Sequence, residues 1–139
     1  MSTHSVTYIH VDDETSHTLV AMYRQDDGDF KSHGKDLFNF LTGKTLINGI
    51  TSKNETLNVA NGMGDLAAQI VSHFKNQSKV GGIYLLNPTD TEEEYVYRIY
   101  KKDHQVYLDS SNGCKSYQTI FGNKKKTIED ERVLTKLNT

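Results

Sequence analysis

The histidines and the single cysteine are the side chains best suited to metal or nucleophilic chemistry, and their spacing does not favour it. The six histidines show neither the H-x-x-x-H nor the H-E-x-x-H spacing that zinc sites commonly use. Cys114 has no second thiol as a partner, and no G-x-S-x-G motif is present. We therefore expect no metal, no cofactor and no catalytic residue.

Arg24 is a candidate for binding an anion. It is predicted to end a strand and to open a polar loop that runs through Asp27, Gly28 and His33. A guanidinium in this position can bind a phosphate or a carboxylate through two parallel hydrogen bonds. A salt bridge to Asp26 or Asp27 is the plainer alternative.

A glycine-rich turn forms a second candidate anion site. It comprises Asn61, Gly62, Met63 and Gly64, and it opens the strongest helical pattern in the chain. Free amides and the positive dipole end of a helix attract anions, and glycines let a phosphate approach the backbone. The turn is not a P-loop, because the Lys-Ser/Thr ending is missing and no strand is predicted to lead into it. The alternative is a capped turn whose glycines allow close helix packing.

Tyrosines are concentrated in the second half of the chain, at Tyr84, Tyr95, Tyr97, Tyr100 and Tyr107. Strand alternation places Tyr95 and Tyr97 on one face of a sheet and Arg98 and Tyr100 on the other. One of these faces must be core. Tyrosine and arginine on the face left open would form a surface on which a base can stack.

The order of predicted elements indicates an α+β fold. Two strands, Val6 to Val11 and His17 to Arg24, form a hairpin, and four β-rich runs between Ile83 and Phe121 form a meander. Between them lie a short helix capped by Ser32, a brief strand from Thr45, and a longer helix from Asn61. We predict one antiparallel sheet, built from the N-terminal hairpin and the C-terminal meander, with two helices on one face.

The composition favours a single domain. The chain has 139 residues with a net charge of −2, and no stretch approaches the roughly 20 apolar residues of a membrane span. We predict one ligand-binding domain over residues 1–122 and a charged tail over 123–139. Neither a membrane nor a nucleic-acid polymer is an expected partner, and the cytoplasm is the expected location.

Seven short motifs resemble a known family. In chain order they are Tyr23-Arg-Gln, Asp27-Gly28, His33-Gly-Lys-Asp-Leu37, Val59-Ala-Asn-Gly-Met-Gly64, Leu66-Ala-Ala-Gln-Ile70, Gly81-Gly-Ile-Tyr-Leu85 and Glu94-Tyr-Val-Tyr97. Each motif is short, but their order and spacing together are similar to the first Thoeris anti-defence family, the phage anti-Thoeris sponges. The similarity runs from the first predicted strand to about the fourth and is weak over the tail.

The resemblance implies a homo-oligomeric, non-catalytic protein, with a hexamer as one candidate assembly. Such a protein sequesters a cyclic ADP-ribose signal (gcADPR) made by a bacterial TIR-domain enzyme of the infected host, and it binds cyclic oligonucleotides at a separate site. The similarity suggests that Arg24 contacts a phosphate, with Asp27 in the same loop. It also suggests that Tyr84 stacks on the adenine and that the turn Asn61 to Gly64 is a second phosphate site. Polar groups at Glu94, Arg98 and Asp109 would contact the riboses.

Several positions depart from the family pattern. Asp26 stands where the family has an aromatic residue, Asp29-Phe30 replaces Tyr-Pro, and Asp65 replaces cysteine. These changes add negative charge beside the expected anion sites and put the ligand preference in doubt. A small nucleotide hydrolase that uses Asp27 and His33 is an alternative, as is a protein that docks a host factor.

Overall fold

The computed structural model describes residues 3–42, 44–47, 59–77, 82–88, 94–103, 105–110 and 115–119. The elements follow the chain as β1 (Ser5–His10), β2 (Thr18–Arg24), a π-helical turn (Phe30–Gly34), α1 (Lys35–Leu41), β3 (Thr45–Ile47), β4 (Val59–Asn61), α2 (Gly62–Gln77), β5 (Ile83–Leu86), β6 (Tyr95–Lys102), β7 (Gln105–Ser110) and β8 (Lys115–Thr119). Within these residues no helix is long and apolar enough to cross a membrane.

Six strands form the main sheet in the order β5-β2-β1-β6-β7-β8. Four of the five pairings are antiparallel, and β1 pairs with β6 in parallel. The two short strands β3 and β4 form a separate parallel pair. The predicted α+β class and the largely antiparallel sheet are therefore confirmed.

The connectivity differs from the predicted hairpin and meander in one respect. The strands β6, β7 and β8 are consecutive neighbours, but β5 is separated from them, because β5 pairs with β2 while β6 pairs with β1. Every residue of β1 is buried, and a strand of that kind needs a partner on both sides. The N-terminal hairpin leaves one side of β1 open, and β6 fills it.

The helix α2 packs through one face, as the sequence predicts. Its buried side chains are Met63, Leu66, Ala67, Ile70 and Phe74, and they share one core with α1 and with one face of the sheet. Val71 is partly buried at the margin of this stripe. Burial of each large side chain contributes roughly 1.5–3 kcal/mol, so this stripe fixes the helix on the sheet.

Two local features differ from the sequence prediction. The first helix begins at Lys35 rather than after Ser32, because a π-helical turn over Phe30–Gly34 precedes it and buries Phe30 and His33. The strand β4 leads directly into α2, which corrects the expectation that no strand does so. At three residues, β4 is too short to show a readable alternation.

Several predicted features lie outside the described residues. These are the continuation of the third strand to Ile50, the Asn112-Gly113 turn, Cys114 and the tail over 123–139.

Candidate functional site

The two faces of the main sheet have different surroundings. Ile9, Met22 and Ile99 face α1 and α2 and belong to the main core. The opposite side carries a second, smaller cluster of Val6, Tyr8 and Ala21, flanked by Leu86 and Val96. We term this second side the open face, because it is the side away from α2.

Strand register brings polar and aromatic groups together on the open face. The parallel pairing of β1 with β6 sets Tyr8 beside Arg98, and the antiparallel pairing of β6 with β7 sets Arg98 beside Asp109. One step along the strands, Tyr100 lies beside Tyr107. Three adjacent strands therefore contribute to one group of side chains.

Arg98 is the cation of this group. Its Nη1 donates to Nε2 of His10 over 3.1 Å, and its guanidinium carbon lies 4.5 Å from the centroid of the Tyr8 ring. His10 Nδ1 lies 2.9 Å from the Ser16 carbonyl, which can only accept, so Nδ1 carries the proton and Nε2 accepts from Arg98. Arg98 is half-buried and forms no salt bridge with the residues described. Most of its five N–H donors therefore remain available to a ligand.

Tyr100, Tyr107 and Asp109 form the second part of the group. The Tyr100 hydroxyl donates to Asp109 Oδ2 over 2.7 Å, and the rings of Tyr100 and Tyr107 stack 5.3 Å apart with an interplanar angle of 9°. Burial, followed by the hydrogen bond that the Tyr100 hydroxyl donates to Asp109, raises the pKa of Tyr100 well above its ordinary value. Tyr100 therefore remains a protonated donor that orients the carboxylate of Asp109.

Tyr84 lies on the open face at the edge of the sheet. Its side chain is 45% exposed, and its ring centroid is 5.9 Å from that of Tyr23 on β2. Lys75 Nζ lies 6.0 Å from the same Tyr84 ring. The strands β5 and β6 are three spacings apart, or about 14 Å, so Tyr84 shares the face with Arg98 and Asp109 but not their immediate contacts.

Arg24 lies on the other face, the one covered by the helices. Its Nε donates to the Asp26 carbonyl over 2.6 Å, and its Nη1 donates to Nδ1 of His33 over 3.1 Å. The contact with Asp26 is thus through its backbone carbonyl, and the alternative of a salt bridge to Asp26 or Asp27 is not seen. Asp27 is exposed, in a left-handed conformation with φ of 57°. Arg24 therefore does not share a surface with Tyr84 or Arg98 in one chain.

His33 is held inside the core beneath Arg24. It is 0% exposed, and its Nε2 donates to Thr7 Oγ1 over 3.3 Å. Its ring also contacts Phe74 and Tyr97 edge-on. Burial first, and the charge of Arg24 second, lower the pKa of His33 to about 3. His33 is consequently a neutral structural residue at ordinary pH.

The turn from Asn61 to Gly64 is capped by the chain's own carboxylate. Asp65 Oδ2 accepts from the Asn61 amide over 2.8 Å and from Gln69 Nε2 over 3.2 Å. Gly62 has φ of +81°, which requires glycine, and Met63 is buried. A phosphate at this turn would meet the negative charge of Asp65, so the geometry favours the capped-turn alternative.

The candidate groups do not converge within one chain. The contact of Phe74 with His33 places Arg24 near the end of α2, whereas the turn Asn61 to Gly64 lies at its start. A helix of 16 residues is about 24 Å long. Glu94 is exposed immediately before β6.

Lys44 and His73 form a further group of titratable side chains, beside α1. Lys44 is buried, with its Nζ 4.4 Å from the centroid of Phe40, and the Phe40 ring lies 4.5 Å from that of His73. Burial lowers the pKa of Lys44 and also that of His73, where the charge of Lys44 adds to the effect. The packing on Phe40 gives this group a structural role.

The sequence did not identify Tyr8 and His10 as site residues. Alternation along β1 does place them on one face with Val6, and that signal was available. Their role depends on Arg98, which is 88 residues from His10 in the chain, and on a parallel pairing that the sequence did not predict. Within the described residues, no group of three or more His, Cys, Asp or Glu is arranged to hold a metal ion.

No protein-family model, curated protein or solved structure matches the chain.

Proposed function

We propose that this protein binds a phosphorylated nucleotide on its open face and holds it without cleaving it, acting as a sponge for a cyclic ADP-ribose signal of the gcADPR type. Its place of action is the cytoplasm of an infected bacterial host. Its working form is a homo-oligomer.

The observation that carries this proposal is the state of Arg98. The guanidinium of Arg98 is packed on Tyr8 and bonded to His10, and it forms no salt bridge with the described residues. Hydrogen bonds between arginine and phosphate are short, charge-assisted and frequently bidentate. A phosphate would supply the salt-bridge partner that Arg98 lacks among the described residues.

The neighbouring residues suit the remaining parts of a nucleotide. The ring of Tyr107 is half-buried and stacked on Tyr100, which offers a rigid aromatic surface for a base. Stacking of a base on an aromatic side chain is worth roughly 1–3 kcal/mol. Asp109 places a carboxylate beside Arg98, where a second phosphate would be repelled.

The resemblance to the anti-Thoeris sponges supports the open face as the binding surface for some of the suggested ligand residues. Three of the ligand residues that it suggests, Tyr84, Arg98 and Asp109, lie on the open face. Arg24 and the turn Asn61 to Gly64 lie elsewhere, so the phosphate role passes from Arg24 to Arg98 in this proposal.

A hydrolase has less support from the geometry. The base that the sequence offers, His33, is fully buried, and both of its ring nitrogens are hydrogen-bonded to Thr7 and Arg24. General-base catalysis needs contact with substrate or with a bound water. Docking of a host factor through residues 123–139 concerns a segment outside the described part of the chain.

The experiment combines binding with recovery of the ligand. The protein is titrated with gcADPR and with linear ADP-ribose in a calorimeter, then heated to denature it, and the released material is examined by chromatography and mass spectrometry. We expect saturable binding of gcADPR and its recovery unchanged. Conversion to a product would indicate an enzyme, and the absence of binding would reject the sponge.

A further inference from the structure

His10 is buried beside Arg98, and both nitrogens of its ring are hydrogen-bonded. The residue is only 3% exposed. Its Nε2 accepts from Arg98 Nη1 over 3.1 Å, and its Nδ1 donates to the Ser16 carbonyl over 2.9 Å. A ligand on the open face therefore meets Arg98 and not His10. Any effect of His10 on ligand binding has to act through Arg98.

The Ser16 carbonyl that orients His10 belongs to a turn fixed by its own side chains. The Ser16 hydroxyl donates to the Asp13 carbonyl over 2.6 Å and accepts from the Asp12 amide over 2.9 Å. The Thr15 amide and hydroxyl both donate to Asp13 Oδ1, over 2.9 and 2.7 Å. These bonds, chiefly the one from the Thr15 side chain, lower the pKa of Asp13. The turn thus holds the Ser16 carbonyl in a fixed direction, and this carbonyl sets which nitrogen of His10 carries the proton.

The turn is also attached to β6, the strand that carries Arg98. The Lys101 amide, further along β6, donates to the Asp12 carbonyl over 2.8 Å. The contacts form a closed circuit that leads from β6 through the turn to His10 and back to the Arg98 side chain. The tip of the guanidinium is thereby fixed relative to the same strand that fixes its backbone.

The contact of Arg98 with Tyr8 does not replace the hydrogen bond to His10. The guanidinium carbon lies 4.5 Å from the Tyr8 ring centroid. The attraction between a cation and a ring face has no fixed direction within the plane of the guanidinium, so Tyr8 does not set where the N–H groups point. The hydrogen bond to His10 does set this direction, because it uses one particular nitrogen, Nη1.

We propose that His10 is the positioning residue of the nucleotide site: it occupies Arg98 Nη1 and so directs the remaining N–H groups of the guanidinium towards a phosphate on the open face. This inference rests on the proposed function and adds the residue that preorganises the same site. A side chain that is ordered before binding does not have to be ordered by the ligand. Loss of that order is expected to weaken binding by roughly two- to tenfold.

Two substitutions separate the two hydrogen bonds of His10. In His10→Gln, the side-chain amide reaches the position of Nε2 and can accept from Arg98, but it no longer donates to the Ser16 carbonyl. In His10→Asn, the shorter side chain reaches the position of Nδ1 and can donate to Ser16, but Arg98 Nη1 loses its acceptor. A positioning role predicts that His10→Asn binds more weakly than His10→Gln, and a role confined to the turn predicts the reverse.

Calorimetric titration with gcADPR compares these variants with the wild type. We expect His10→Asn to raise the Kd by roughly two- to tenfold and to bind more weakly than His10→Gln. His17→Asn, at an exposed histidine on the other side of Ser16, is the matched control and is expected to keep the wild-type Kd. A His10→Asn variant with the wild-type Kd, or one that binds as well as His10→Gln, would overturn the proposal.

A double variant separates positioning from a general loss of packing at His10. If His10 acts through Arg98, adding His10→Asn to Arg98→Gln should change the Kd by less than about twofold, because the side chain that it positions is already gone. A loss of affinity as large as in the wild-type background would show that His10 acts independently of Arg98 and would contradict the inference.

NMR of the free protein supplies a test that needs no ligand. The Ser16 carbonyl predicts a proton on Nδ1 of His10, whereas His33, whose Nδ1 accepts from Arg24, should carry its proton on Nε2. The ¹⁵N signals of the two rings at neutral pH are therefore expected to show opposite tautomers. A proton on Nε2 of His10 would exclude the bond from Arg98 and overturn the proposal.

The guanidinium signals of Arg98 keep this inference separate from the sponge. They should be resolved in the wild type, where hydrogen bonding slows rotation of the group, and averaged in His10→Asn. If the wild type binds no gcADPR, the proposed function fails, and these signals still decide whether His10 positions Arg98. Identical Arg98 signals in the two proteins would refute the positioning role even if the wild type binds the nucleotide.

Discussion

Arg98 and Arg24 make the same contact in different surroundings. The Nη1 atom of each arginine donates a hydrogen bond to a ring nitrogen of a neutral histidine over 3.1 Å, His10 for Arg98 and His33 for Arg24. Arg24 also bonds to the Asp26 carbonyl and lies on the face that the helices cover, where it holds the following loop. Arg98 instead packs on Tyr8 and keeps donors free for a ligand. The surroundings of these two arginines are set by the face of the sheet on which each lies.

Because of His33, the folding stability of the protein is expected to fall at acidic pH. Its pKa is about 3 in the folded protein and 6.5 in the unfolded chain, so between these values the unfolded chain binds more protons. Folding stability is therefore complete above pH 6.5 and falls as the pH drops towards 3, by about 2 kcal/mol from pH 7 to pH 5. Urea unfolding of His33→Gln is expected to lose this part of the pH dependence.

An exposed histidine supplies the control for this prediction. His17→Gln is expected to retain the wild-type fall in stability, because His17 is exposed. If His33→Gln does not fold, the ring protons of His33 in the wild type can be followed by NMR, and they should not titrate between pH 7 and pH 5. A ring that titrates near pH 6.5 would contradict the burial argument.

At the scale of elements, β1 contributes side chains to both faces of the main sheet. Thr7 and Ile9 point to the core side, and Tyr8 and His10 point to the open face. The loop after β2 is fastened to the same strand region, since the Gly28 amide donates to the Thr3 carbonyl over 2.8 Å. The Tyr97 hydroxyl donates to the Gly28 carbonyl over 2.8 Å.

Two glycines in different surroundings give opposite predictions. A Cβ at Gly28 would lie 2.7 Å from Ser5 Cβ and 2.9 Å from the backbone of His4, so Gly28→Ala should destabilise the fold by about 1–3 kcal/mol. A Cβ at Gly64 would meet nothing within 4 Å, so Gly64→Ala within α2 should stabilise it by roughly 0.5–1 kcal/mol. Chemical denaturation measures both. A neutral Gly28→Ala or a destabilised Gly64→Ala would contradict the packing described.

The elements were largely predictable because their signals are local. The helical pattern of α2 and the alternation of β6 depend on neighbouring residues only, and both were found. The π-helical turn and β4 were missed, since the first is set by burial of Phe30 and His33 and the second by pairing with β3.

At the scale of the molecule, pairing between distant strands decides which residues meet. Strand alternation predicted that Arg98 and Tyr100 lie on one face of the sheet and Tyr95 and Tyr97 on the other, and the structure confirms this. It did not indicate that β1 would bring Tyr8 and His10 to Arg98, because parallel pairing carries no local signal. Arg24 ends β2 as predicted, but nothing local in the sequence shows that it lies on the face that the helices cover.

Arg98 is the residue on which the proposed binding of a phosphorylated nucleotide at the open face depends. The most direct measurement is the Kd of gcADPR for the wild type, Arg98→Gln and Lys101→Gln, with Arg24→Gln as a further arm. Lys101→Gln removes one charge from the same strand but on the other face.

We predict that Arg98→Gln weakens binding at least about tenfold, because a hydrogen bond to a charged group is worth roughly 1.5–3 kcal/mol. Lys101→Gln should change the Kd by less than about threefold, as expected for an exposed charge. Wild-type affinity in Arg98→Gln, or a loss of binding confined to Arg24→Gln, would contradict the account.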